Sequence, residues 1–202
     1  MTQRIPGIFL LAAVFLIAVC GLIYELNAAT LSSYLLGGTV TQFSIVIGIF
    51  LTAMGLGSYL TRFFRKNLTD VFIGIQIGIG VSGGFSAAVL LFTFAALPSY
   101  LPVLVIVLTV TGTLVGMEIP LLIRILKTQE ALRLTVSNVL ALDYIGALIA
   151  SCAFPLLLVP HVGLLRTSFL FGLINIAVGA VALRVLAPFL RRKRRLGVMA
   201  TI

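Results

Sequence analysis

Six apolar runs, each long enough to cross a bilayer and each bounded by short polar or charged segments, constrain this chain more than any other feature. A helix rising 1.5 Å per residue needs about 20 apolar residues to cross the hydrocarbon core. Residues 8–26, 41–60, 71–94, 101–123, 134–158 and 164–186 qualify. The runs exceed the ~10 residues of a membrane barrel strand and lack its polar–apolar alternation. The predicted class is all-α: a polytopic membrane helical bundle with six transmembrane helices. Composition agrees, because 61% of the 202 residues are hydrophobic and only 9% charged. A water-soluble domain of this size has too little interior to hide so much apolar surface.

The bases set an orientation. With six spans, Arg4, Arg62, Arg65, Lys66, Arg124, Lys127, Arg133, Arg184, Arg191, Arg192, Lys193, Arg194 and Arg195 share one side. That is thirteen of the 14 Lys and Arg; only Arg166, with His161 near it, lies on the other. Adding or removing a span would scatter the bases, so the asymmetry supports the count. The positive-inside rule then predicts amino and carboxyl termini in the cytoplasm of a cell inner membrane protein. The expected organisation is a six-helix transmembrane domain over residues 1–188 and a basic cytoplasmic tail over 189–202. The net charge of +9 sits at the ends of apolar runs. It therefore points to the lipid bilayer as partner and to no nucleic acid.

Several local readings follow. The segment 27–40, with Ser32, Ser33, Gly37 and Gly38, is expected to be an outer loop that dips toward the interface. The sequon Asn67-Leu68-Thr69 falls on the cytoplasmic side and is discounted. Cys20 and Cys152 lie inside apolar runs and are read as small buried side chains, not a disulfide or metal pair. The first run is too long for a signal-peptide core and lacks its cleavage site. Gly74/Gly78 and Gly80/Gly84 in the third run, Ala53/Gly57 in the second and Gly146/Ala150 in the fifth are expected packing stripes. Pro120 and Pro155 should bend their helices.

The acids are the informative residues. Asp70 and Glu130 lie in cytoplasmic loops. Glu25, Glu118 and Asp143 fall in or near spans, where an unpaired carboxylate costs several kcal/mol. Topology places Glu25 and Arg166 toward the outer side, where they could pair, and Glu118 and Asp143 in one inner layer. Val139, Asp143, Gly146 and Ala150 share a helix face that should point inward. In one reading these acids, with Tyr24, Gln76 and Asn175 (and Gln42, Ser137 and Asn138), bind a cation or carry protons. In the other they pair with each other, with Arg166 or with hydroxyls to hold helix register. A 93-residue offset relates Glu25 to Glu118, Ser44 to Ser137, Ala53 to Gly146, Gly57 to Ala150 and Ser58 to Ser151. It suggests two inverted three-helix halves, a plan used by transporters.

No nucleotide-binding glycine turn, phosphate loop or zinc-binding histidine pair is present, and the one histidine, His161, sits in a short loop. No catalytic residue, cofactor or metal ligand is expected.

An ordered set of strings carries a family resemblance. These are GLIYEL at 21–26, LSSYLLG at 31–37, QFSIVIG at 42–48 and AMGLGS at 53–58, then GMEIPLLIR at 116–124, LDYIGA at 142–147 and FPLLLVP at 154–160. Together, over about residues 20–180, they resemble the amino-terminal membrane domain of the membrane-bound polyamine aminopropyltransferases, the spermidine synthase-like family. The resemblance implies a bacterial cytoplasmic-membrane protein. In that family a Rossmann-like domain follows the helices and moves an aminopropyl group from decarboxylated S-adenosylmethionine to putrescine. The sequence stops where that domain is expected, so its nucleotide and diamine residues have no counterparts here. The leading expectation is a non-catalytic membrane subunit or domain that scaffolds or anchors a protein partner at the cytoplasmic face. Two alternatives stand beside it. One is a small transporter or channel for a polyamine or other cation, using Glu25, Glu118 and Asp143. The other is an accessory helical subunit of a larger membrane complex. A homo-oligomer stays open.

Overall fold

The computed structural model describes the backbone of residues 7–126 and 132–199, and side chains over residues 11–125 and 136–185. Arg4, Lys127, Glu130, Arg133 and the bases from Arg191 to Arg195 belong to the sequence reading only, because their side chains lie outside the described residues. The elements are α1 (Gly7–Leu36), α2 (Thr39–Leu60), α3 (Leu68–Ala96), α4 (Leu101–Leu126), α5 (Leu132–Ala153), a π turn (Phe154–Leu158), α6 (Val159–His161) and α7 (Leu164–Met199). Among the described residues, six helical stretches are long and apolar enough to cross a membrane, and there is no strand. They are Leu11–Leu36, Thr39–Phe63, Leu68–Ala96, Leu101–Ile125, Val136–His161 and Leu164–Val185. The fifth joins α5, the π turn and α6.

The segment 27–40 departs from the loop expected of it. α1 stays helical to Leu36, and the chain reverses only at Gly37 and Gly38, with φ of 76° and 65°. A side chain at either position would be strained, so glycine suits the reversal. Asn27 and Ser32 looked like loop residues because they are polar; instead Asn27 bonds to α7 and Ser32 to Tyr100, just ahead of α4. Pro155 has a local effect. Its ring cannot accommodate the regular α ladder, and the helix opens into a π turn at Phe154–Leu158. Pro120 sits inside the continuous helix α4.

α1 is the central post. Half of its most apolar window is buried, against 17% for the fifth span. The main packing pairs are α3 with α7, α2 with α4 and α1 with α5, followed by α3 with α4, α1 with α2 and α1 with α7. This pattern has an internal exchange. Swapping α1 with α4, α2 with α5 and α3 with α7 turns the α2–α4 contact into α5–α1 and the α3–α4 contact into α7–α1. It leaves α3–α7 unchanged. Two close approaches follow the same 93-residue offset to within one residue. Gly112 of α4 packs on Ala53 of α2, while Gly146 of α5 packs on Ala18 of α1. The offset carries Ala53 to Gly146 and carries Ala18 to position 111, one residue from Gly112.

Small residues make these crossings possible, since lipid supplies no hydrophobic drive and backbones must approach closely. A Cβ on Gly57 would collide with the Thr113 carbonyl, and one on Gly116 with the Met54 backbone. On α3 the working stripe is Gly80/Gly84, which meets Gly172 of α7; Gly74 meets nothing within 4 Å. Where α2 ends, the Arg124 guanidinium donates to the carbonyls of Thr61 (2.8 Å) and Phe64 (2.6 Å). Arg62 lies 3.6 Å over the Tyr59 ring.

Cys20 is buried as expected, whereas Cys152 is exposed. It lies on α5, a peripheral helix whose outer face (Tyr144, Ile145, Leu148, Ile149) is apolar and open. An apolar setting in the sequence therefore did not imply burial within the protein.

Candidate polar seam through the bundle

A column of polar side chains runs through the centre, built by α1, α3, α4 and α7. Nearest the turn between α1 and α2, the hydroxyls of Ser32 and Tyr100 lie 2.9 Å apart. Burial pushes the Tyr100 phenol above its ordinary value, and its bond with Ser32 opposes that; it stays a neutral hydroxyl at neutral pH. The next layer centres on Asn27, whose amide donates to Ser168 Oγ at 2.8 Å and to the Leu164 carbonyl at 3.0 Å. Ser86 joins it, 3.3 Å from Ser168 Oγ. Then Asn175 donates from Nδ2 to the Tyr24 hydroxyl at 2.9 Å. Last, Gln76 donates from Nε2 to Glu118 Oε1 at 2.5 Å. Along α1, the twelve residues from Ser32 to Cys20 cover about 18 Å, more than half of a hydrocarbon core.

Helical spacing assembles the column. On α7, Ser168, Gly172, Asn175 and Gly179 recur at steps of four, three and four, so they share one face. Gly172 lets α3 approach, and Gly179 lies against the Gln76 side chain. On α3, Gly83 makes room for the Tyr24 ring. Glycine opposite Tyr24 and Gln76 is what lets those two groups sit inside the bundle.

Of the residues expected at the site, Tyr24, Gln76, Glu118 and Asn175 come together, all at most 2% exposed. Glu118 lies close enough to Tyr24, Cys20 and Asp143 for its charge to act on each. Asp143 is half-buried, beside this group on α5. Glu118 and Asp143 thus share a layer, as topology suggested. Glu25 and Arg166 do not join. Glu25 is buried on α1, Arg166 is exposed on α7, and no ion pair connects them among the described residues. Arg166 instead extends outward from the first turns of α7, while the neighbours Thr167 and Ser168 turn inward. Sequence reasoning missed Asn27, Ser32, Ser86, Tyr100 and Ser168. The α7 spacing was a usable signal for Ser168, but Asn27 and Ser32 were hidden by their assignment to a loop.

Several buried polar atoms, three of them in the seam, have no partner. Asn27 Oδ1, Gln76 Oε1, Asn175 Oδ1, Ser82 Oγ, Thr111 Oγ1 and Thr167 Oγ1 are buried and accept or donate no hydrogen bond. Natural interiors leave few such groups, because each costs about 1–3 kcal/mol. A groove of about 230 Å³ lies elsewhere, between α2 and α4, lined by Gly48, Ile49, Thr52, Ala53, Leu56 and Thr109. Its lining holds no acid.

The fold and seam define a class: a multi-pass membrane protein with a polar core inside an apolar bundle. Comparison with known proteins adds a family. The chain is 48% identical over 166 residues to the polyamine aminopropyltransferase of Leptospira interrogans, covering 82% of this chain and 33% of that protein. It is 49% identical over 173 residues to polyamine aminopropyltransferase 2 of Ralstonia nicotianae, covering 84% and 34%. It is 40% identical over 190 residues to polyamine aminopropyltransferase 1 of Streptomyces coelicolor, covering 93% and 35%. Through this stretch the chain is a relative of the polyamine aminopropyltransferase family, and it spans about one third of the length of these relatives. No family model and no solved structure matches it.

Proposed function

We propose that this bundle is a non-catalytic membrane scaffold that holds polyamine aminopropyl transfer at the inner face of a bacterial cytoplasmic membrane. The observation that carries the reading is the combination of an apolar six-span bundle with 40–49% identity to one third of the aminopropyltransferases. Thirteen bases on the side of both termini support a cytoplasmic location for those ends. They also suit anionic lipid or an acidic protein surface, at roughly 1 kcal/mol per base near the membrane.

The test uses the part of the Ralstonia relative that lies outside the matched stretch. Made without this chain, it should be recovered in the soluble fraction; made with it, in the membrane fraction. Aminopropyl transfer to a diamine should be absent from the purified chain alone. Transfer by the chain alone, or a partner whose fractionation ignores it, would overturn the reading.

A further inference from the structure

We propose that Glu118, with the side-chain carbonyls of Gln76 and Asn175, forms a binding site for one small monovalent cation within the bundle. The proposal does not depend on any role in aminopropyl transfer.

The first argument is charge balance. Glu118 is 1% exposed, and the charged neighbour that acts on it is another acid, Asp143. No Lys, Arg or His side chain among the described residues pairs with it. A bare carboxylate in such a place would cost several kcal/mol, and a bound cation would offset that cost.

The second argument is the kind of atoms left over. Gln76 spends its amide N–H on Glu118, and Asn175 spends its own on Tyr24. What remains of each, Gln76 Oε1 and Asn175 Oδ1, is an acceptor with no partner on a side chain at most 1% exposed. These donors hold the two amides in place and leave oxygen lone pairs unmet. A cation satisfies such oxygens, and oxygen ligands suit a hard ion.

The third argument limits the ion. Among the described residues no three His, Cys, Asp or Glu side chains gather at one point, so no divalent or transition-metal cage is built. One carboxylate with neutral carbonyls matches a single positive charge. The groove between α2 and α4 is not lined by Glu118, Gln76 or Asn175. Na⁺ and H⁺ share the required chemistry. The titratable groups within electrostatic reach of Glu118 are Cys20 and Tyr24 from α1 and Asp143 from α5, too dispersed to share one ion with it.

The experiment follows thermal unfolding of the whole purified chain in detergent, with choline as the inert salt. A cation bound only by the native bundle raises the midpoint, by about 5–10 °C at a hundred times Kd. Na⁺ should raise it in the parent and not in Glu118→Gln, and Gln76→Leu, which keeps the carboxylate, should weaken apparent Na⁺ affinity at least ~10-fold. If H⁺ is the ion, acidification in Na⁺-free buffer should raise the parent's midpoint relative to Glu118→Gln, with no Na⁺ response. Removing the charge makes Glu118→Gln at least as stable as the parent in choline. A parent that tracks Glu118→Gln at every Na⁺ concentration and every pH would sink the proposal, as would a Glu118→Gln variant that fails to fold while Gln76→Leu keeps full Na⁺ affinity.

Discussion

Substituting Gly172 and Gly74 separately by Ala tests whether close backbone approach holds this bundle together. Both are glycines in the described spans, and by helix propensity alone each change should stabilise by up to about 1 kcal/mol. Their surroundings differ. A Cβ on Gly172 would lie 2.6 Å from the Gly80 carbonyl oxygen and 2.7 Å from Gly84 Cα, whereas one on Gly74 meets nothing within 4 Å. The obstacles at Gly172 are backbone atoms, so no side chain can rotate away. Restoring an ordinary contact of 3.4 Å to the Gly80 oxygen parts α3 and α7 by ~0.8 Å. A gap of that size forfeits about a quarter to a half of each atom-pair attraction of ~0.1–0.2 kcal/mol. Over about 40 atom pairs the loss is roughly 2 kcal/mol, which outweighs the propensity gain. Gly172→Ala should therefore be about 1 kcal/mol less stable and Gly74→Ala equal or more stable. The assay is thermal unfolding followed with a thiol-reactive dye in a Cys152→Ser background, where the buried Cys20 reports loss of structure. If Gly172→Ala matches or exceeds Gly74→Ala in stability, the close-packing argument is refuted.

Asn27→Ala removes the bonds to Ser168 and Leu164 and should cost about 0.6–1.7 kcal/mol, the range of interhelical hydrogen bonds in membranes, in the same unfolding assay. Arg124→Ala frees the carbonyls of Thr61 and Phe64; limited proteolysis should then cut faster between residues 61 and 67, while Arg124→Lys recovers part of the protection.

How much of this was readable beforehand depends on which surroundings each residue was meant to face. All six spans were legible, because the need to bury every backbone polar group in lipid leaves little choice but helices. Tyr24, Gln76, Glu118 and Asn175 stood out because a polar group in an apolar run is costly wherever it points. Glu25 and Arg166 failed as a pair because depth alone does not say which way a side chain faces. Asn27 and Ser32 were misassigned for a related reason. Polarity was taken as a sign of water, yet their partners, Ser168, Leu164 and Tyr100, lie far along the chain.

Hydropathy and charge, which are local properties, thus determined by themselves that the chain crosses a membrane, how often, and which carboxylates are out of place. Only the tertiary structure decided which helices touch, that α1 stands at the centre, and that an Asn of α7 meets a Tyr of α1 beside a Glu of α4. Helix pairing in lipid is set by close fit between glycine-lined surfaces, and that fit is a property of two surfaces together.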